Sequence, residues 1–231
     1  MRLLPVLSLL VFLGACANDG EEGSTSSTQT AVAVTKKSPE ALRDEQERPQ
    51  ELITLMGGDL NGITVADLFA GDGYYTFKLI EAGANVIAVE SDPANIARIE
   101  ARKKALQLSD ARLTIRAVPV GDPGLQPDEV DMALIVHHFV TMADRKGYFK
   151  QMRKGVRYPK PVFMIEWLYE ESPVGPSIAE RMPLEQIMDE VGLLEFADVG
   201  AHSAKVPGQV ILIASDYAEY TDDGKVIQPT Q

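Results

Sequence analysis

Residues 65–76 read VADLFAGDGYYT: an apolar run that carries a carboxylate, Asp67, and then Gly71 and Gly73 in G-x-G spacing. Glycines so spaced let the backbone turn sharply and approach a ligand, with Gly73 opening the next helix. A carboxylate in an apolar run is costly unless a cation or a hydrogen-bond donor pairs with it. Asp67 would repel a pyrophosphate and attract a ligand carrying an ammonium or sulfonium group. Dinucleotide-binding turns place a third Gly or Ala where this chain has Thr76. A second carboxylate, Glu90, closes the next apolar run, a position suited to accepting hydrogen bonds from a ribose diol. His137 and His138 follow a later apolar run, and Glu166 and Trp167 end another. Either histidine is a candidate general base or substrate contact, and Glu166 is a candidate partner in the same chemistry. If the strand runs through them the histidines point to opposite faces, so at most one lines a pocket, and either serves equally well in packing. Trp167 is equally a cover for the core, and Arg181 is either a contact for an acidic substrate or a partner for Glu180 or Glu185.

These groups need a scaffold that gathers strand ends. Apolar runs at 63–69, 85–89, 113–118, 132–136 and 161–166 are nearly continuous, as expected of parallel strands covered on both faces. Helical stretches lie between several of them. Ser38-Pro39 opens one, and Arg48-Pro49 begins another that stops at Gly57-Gly58. Asp92-Pro93 caps a third, with Ile96, Ile99 and Leu106 on one face. Thr141-x-x-Asp144 resembles a capping box for a helix ending at Gly155, and Pro183 starts a helix with Leu184, Ile187, Met188 and Val191 in i, i+3, i+4, i+7 spacing. Alternating strands and helices predict an α/β, Rossmann-like, doubly wound and mostly parallel sheet. Near the end, LEFADVGAHS and GQVILIAS are separated only by AKVP, too short for a helix, and predict an antiparallel hairpin.

The ends of the chain read differently. Arg2, an apolar stretch from Leu3 to Leu13 and small residues up to Ala15 form a secretory signal, too short for a permanent membrane span. Leu13-Gly14-Ala15-Cys16 resembles the bacterial lipobox, which implies that Cys16, the only cysteine, is lipidated. Residues 1–15 are thus expected to be a lipoprotein signal peptide and 16–37 a flexible tether, holding the domain roughly 25 Å from its anchor. The folded domain is expected over 38–216, followed by a polar tail over 217–231. A formal net charge of -12 argues against a partner bound through its phosphates, so no nucleic acid is expected. The sequence does not fix an oligomeric state.

VADLFAGDGYYT followed by VIAVESDP resembles the first two motifs of class I S-adenosylmethionine-dependent methyltransferases. The resemblance spans most of residues 45–215, with VDMALIVHHF as the fourth-strand motif and the hairpin as the close. It implies seven strands with the last antiparallel, and S-adenosyl-L-methionine as cofactor. It further implies Asp67 near the methionine end of that cofactor, Gly71 and Gly73 against it, Glu90 on the ribose, and Asp122 near the adenine; Phe69, Tyr75 and Ser91 beside these positions complete the implied cofactor-binding set. Phe69 stands where the family more often has glycine. Methyltransferases of exocyclic base amines usually carry Asn or Asp, Pro-Pro and an aromatic after the fourth strand, whereas this chain has Val136-His137-His138-Phe139. The acceptor implied is a small molecule. No metal is expected.

Export signals and an Arg-x-Pro helix before the glycine motif occur in related bacterial domains, and Glu47-Arg48-Pro49 resembles that helix. The location implied is the cell envelope, on its periplasmic or outer-surface side. A rival reading is a ligand-binding lipoprotein that keeps the fold without transferring methyl groups. A nicotinamide-dependent oxidoreductase is disfavoured by Thr76, Asp67 and the hairpin.

Overall fold

A computed structural model describes residues 37–216, 219–220 and 226–227. The expected signal peptide, Cys16 and nearly all of the tether and tail lie outside these described residues. Five strands, β1 (Thr64–Leu68), β2 (Asn85–Glu90), β3 (Leu113–Ala117), β4 (Met132–Val136) and β5 (Val162–Trp167), are joined by β6 (Asp198–His202) and β7 (Gln209–Ser215). They form one sheet in the order β3-β2-β1-β4-β5-β7-β6, in which only β7 runs against its neighbours. The expected hairpin is therefore present, and its second strand inserts beside β5. Glu219–Tyr220 (β8) and Val226–Ile227 (β9) pair separately.

Among the described residues, six α-helices accompany the sheet: α1 (Pro39–Glu47), α2 (Pro49–Leu55), α3 (Tyr74–Glu81), α4 (Pro93–Ala105), α5 (Arg145–Gly155) and α6 (Leu184–Gly192). Alternate strand residues feed two apolar layers, as the period-2 geometry of a strand requires. Val65, Val86, Ala88 and Leu134 pack on α2, α3 and Ile99 of α4. Ala66, Leu68, Val89 and Ile135 pack on Tyr148, Phe149 and Met152 of α5 and Ile187 and Val191 of α6. Asp67 shares the parity of Val65 and so faces α3.

Local chemistry sets the helix starts. Ser38 Oγ accepts from Ala41 N at 3.1 Å, and Asp92 Oδ1 accepts from Ala94 N at 2.8 Å. Two expectations differ in detail. The cap of α5 is Asp144, whose Oδ1 accepts from Gly147 N at 2.8 Å, while Thr141 Oγ1 donates instead to His138 O at 3.2 Å. Leu106 falls past the end of α4, at its C-cap, and is exposed.

The β3–β4 crossover, residues 118–131, contains no helix. A bidentate pair, Arg116 Nη1 and Nη2 to Glu129 Oε2 and Oε1, both at 2.8 Å, holds this loop across its base. One sheet face beside α5 is thus covered by a loop where a helix would ordinarily lie. Among the described residues, no helix is long and apolar enough to cross a membrane.

Candidate functional site

The carboxyl ends of β1, β2 and β4 open onto a cavity of about 620 Å³ beside that helix-less crossover, where open α/β sheets bind ligands. Phe69, Gly71, Glu90, Ser91 and His138 line it, so five of the residues singled out from sequence meet on one wall. Val120, Met142, Tyr148 and Gln151 are also among its lining residues. No Lys or Arg is among its lining residues.

Glu90 is the organising group. Its Oε2 accepts from Gly71 N at 2.7 Å, and its Oε1 from Ser91 N at 2.7 Å and Asp92 N at 2.8 Å. A carboxylate has about four lone-pair sites, so three bonds leave roughly one on Oε2 for a ligand hydroxyl. Glu90 thus ties the glycine turn after β1 to the turn after β2 while keeping one acceptor free.

Phe69 has φ 61°, the left-handed region that a bulky side chain rarely adopts. Its ring stacks on His138 at 4.5 Å and 20°, and meets Tyr148 at 5.2 Å. The position is one glycine would occupy at lower backbone cost, and the side chain exchanges that cost for an aromatic wall. Burial lowers the His138 pKa, against a smaller upward pull from Glu90, so the imidazole is biased toward its neutral, proton-accepting form.

Asp67 is placed elsewhere than the cavity wall. It is 2% exposed, and its Oδ2 accepts from the Thr76 hydroxyl. Burial pushes its carboxyl up to about 7, against hydrogen bonds from the Thr76 side chain and backbone and with help from the nearby Glu90 charge. The residue at the third-glycine position is therefore the partner of the acid at the end of β1, and the pair clamps strand to helix. Gly73, at φ 84°, begins α3, where a Cβ would come within 2.9 Å of Ile99 and 3.0 Å of Phe77. Its role here is close packing of α3 on α4.

Glu166 braces the loop after β4. It is 3% exposed, and its Oε1 accepts from Phe139 N at 2.7 Å and Val140 N at 3.3 Å. Burial pushes it up to about 7, against those N–H groups. Arg145 takes the carbonyls of the same two residues, Nε to Phe139 O at 2.7 Å and Nη2 to Val140 O at 2.6 Å. Phe139 and Val140 are held by their donors on one side and their acceptors on the other, which fixes His138 over the cavity.

The other expected residues fall around this core. His137 faces Trp167 and Gln209, opposite to His138. Tyr75 donates its hydroxyl to Glu47 at 3.3 Å. Asp122 Oδ1 accepts from Gly124 N at 2.8 Å and Gln151 Nε2 at 3.3 Å, in a small recess adjoining the cavity. Arg181 pairs with neither Glu180 nor Glu185; its guanidinium donates to the carbonyls of Leu168, Glu170, Val174 and Pro176 and to Ser172 Oγ, ordering the loop after β5. Among the described residues, no group of three or more His, Cys, Asp or Glu is arranged for a metal ion. Sequence reading missed Tyr148 and Gln151. Their signal was present, since i, i+3 spacing puts both on the face of α5 turned to the cavity.

No protein-family model and no curated protein sequence matches the chain. Solved structures do match. A methyltransferase dependent on S-adenosylmethionine from Aquifex aeolicus aligns with a TM-score of 0.69 at 17% identity, over 78% of this chain and 94% of that one. The fold is the class I methyltransferase fold. The phosphoethanolamine N-methyltransferase 2 of Haemonchus contortus, in complex with S-adenosyl-L-methionine, aligns at 0.61 with 12% identity, over 73% of this chain and 52% of that one. The [4+2]-cyclase SpnF aligns at 0.60 with 13% identity, over 73% and 80%. One fold therefore carries different reactions among its solved members, and the reaction must be argued from the site.

Proposed function

We propose that the chain is an S-adenosylmethionine-dependent methyltransferase acting on a small-molecule acceptor. The observation that carries this reading is the charge of the cavity: Glu90 and Asp144 line it, with no Lys or Arg. Such a wall suits a sulfonium and lacks the cations that a phosphate-bearing nucleotide would recruit. The residues fit the cofactor on two further grounds. Glu90 keeps a free acceptor on Oε2 for a ribose hydroxyl, and Gly71 and Gly121, which line the cavity without side chains, permit close approach by a flat or extended ligand. S-adenosylmethionine, when bound, supplies an electrophilic methyl group. Phe69, Tyr148 and Met142 put apolar surface on the cavity, and His138 presents to it an imidazole biased toward its neutral form.

Anchorage in the cell envelope through a lipidated Cys16 is part of the proposal and rests on the Leu13–Cys16 sequence. Mass spectrometry of the N-terminal peptide is expected to find Cys16 as a lipid-modified first residue. An unmodified thiol with processing elsewhere would remove that element. The rival, a binding protein without turnover, draws support from Asp67 and Glu166, two candidate carboxylates that are committed to structural partners.

The test is a thermal shift on the full chain with S-adenosylhomocysteine and, separately, NAD. Ligand at 100 times its dissociation constant adds about 2.7 kcal/mol, which raises Tm by roughly 5–10 °C for a domain of this size. A shift with S-adenosylhomocysteine alone is expected. A shift with NAD alone, or with neither, would overturn the cofactor assignment, and binding without methyl transfer across acceptor panels would favour the rival.

A further inference from the structure

The outer face of α5 stands apart from the rest of this acidic chain. Residues 145–160 hold Arg and Lys at seven positions and no Asp or Glu, although the formal net charge is -12. The two kinds of cation separate in the fold. The arginines are committed to partners: Arg145 Nη1 to Glu190 Oε2 at 2.7 Å, Arg157 Nη1 to Asp131 Oδ1 at 2.7 Å, and Arg153 to Asp216 and, at 2.6 Å, to Leu194 O. The lysines are not. Lys146, Lys150 and Lys154 are exposed and make no ion pair among the described residues, whereas Lys37, Lys78, Lys103 and Lys205 each have one. Lys160, in the same segment, and Lys104 of α4 are the other described lysines without an ion pair. Unpaired positive charge is therefore concentrated in one place.

Spacing of i, i+4 and i+8 sets Lys146, Lys150 and Lys154 in one row along the helix. The row lies opposite Tyr148, Phe149 and Met152, which are buried against the sheet. Like charges at this spacing repel, and Lys146, in the first turn, also opposes the helix macrodipole. The row thus costs the helix stability that an anionic partner restores. Near a negatively charged surface the rest of the chain is repelled, so the orientation that presents this row is favoured. A tether over 16–37 selects no face of its own, because fully extended it spans roughly 70 Å. Gly147 and Gln151, the neighbours of Lys146 and Lys150, line the cavity, so the row runs beside it.

We propose that the face of α5 carrying Lys146, Lys150 and Lys154 docks the domain on a lipid surface of net negative charge, with the cavity beside the headgroups. The choice of a lipid surface over another polyanion rests on the anchor proposed above at Cys16. The contact is one of ammonium groups with headgroup phosphates, and salt weakens it as the Debye length shortens.

The test is sedimentation of the full chain carrying Cys16→Ser, which cannot be lipidated, with vesicles of phosphatidylcholine alone or with one lipid in three replaced by phosphatidylglycerol. Partition through the apolar leader is common to both vesicles and to every variant, so the readout is the difference. Stronger partition onto the anionic vesicles is expected at low salt and is lost as ionic strength rises. Lys150→Gln and Lys104→Gln each remove one charge. At about 1 kcal/mol per lysine near the surface, the first is expected to weaken partition roughly 5-fold and the second to leave it unchanged. Gln at all three row positions abolishes the preference and Arg at all three retains it, while melting curves of these exposed-site variants match the parent. Equal partition onto both vesicles, or a triple Gln variant that binds as the parent does, would overturn the proposal. So would salt-sensitive self-association in place of vesicle binding, which would give the face to a second copy of the chain. Capture of polyglutamate without vesicle binding would give it instead to an acidic polymer. An unmodified Cys16 in the native chain beside a positive vesicle result fails the anchor alone; a lipidated Cys16 beside a null vesicle result fails the docking face alone.

Discussion

Asp67 is a carboxylate whose environment favours the protonated form. Burial outweighs its bonds to Thr76, and its pKa is pushed up to about 7 from an ordinary 3.8. The folded protein therefore binds this proton more tightly than the unfolded chain does. The contribution to stability is fully present below about pH 4 and is lost as pH rises toward 7. Asp67→Asn keeps an acceptor for the Thr76 hydroxyl and removes the titration. The variant is expected to match or trail wild type near pH 4.5 and to exceed it at pH 8. A gain of about 1 kcal/mol there would raise Tm by roughly 2–4 °C. A difference in Tm that stays constant across that range, measured by calorimetry, would contradict the assigned environment. The sequence displayed the acid and its unusual apolar setting. It did not display the partner, because Thr76 lies nine residues on and meets Asp67 only once α3 packs across β1. Phe69 has the same history: the departure from glycine was legible, whereas its stacking on His138, far along the chain, was a product of the sheet order.

At the level of elements, the strands, the helix starts at Pro39, Pro49 and Pro93, and the terminal hairpin were readable because apolar runs, caps and short connections are local signals. The grip on the loop after β4 was not, since it joins β5 and α5 to backbone atoms whose identity no side-chain pattern encodes. Glu166 and Arg145 together satisfy four backbone groups of Phe139 and Val140. Glu166→Ala would leave the buried Phe139 N–H without its acceptor, at a cost of about 1–3 kcal/mol. A fall in Tm of roughly 2–12 °C is expected. Glu166→Gln retains a carbonyl oxygen for the same donors and should recover most of that loss. If Glu166 instead served chemistry alone, both variants would keep the wild-type Tm and lose turnover equally, which a melting curve beside a methyl-transfer assay distinguishes.

Over the whole molecule, a net charge of -12 surrounds a cavity that holds carboxylates and no Lys or Arg. The field of such a chain draws cations toward the cleft and is screened as salt shortens the Debye length, from about 30 Å at 0.01 M to about 8 Å at 0.15 M. S-adenosylmethionine and S-adenosylhomocysteine differ by the methyl group and its positive charge, so their shapes contribute almost equally and the charge does not. Raising ionic strength from 0.01 M to 0.15 M is therefore expected to weaken S-adenosylmethionine more than S-adenosylhomocysteine, with the ratio of their Kd values moving by roughly 2- to 5-fold, or about 0.4–1 kcal/mol. Calorimetric titration of both ligands at the two salt concentrations measures this ratio directly. The helix-less crossover sharpens the expectation, because Val120 at its tip is 84% exposed and leaves the cavity open on that side to the solvent through which screening acts. A ratio that does not move would mean that the sulfonium is held by aromatic and backbone contacts alone, with Phe69 and Tyr148 in place of Glu90 as the residues that distinguish the charged ligand.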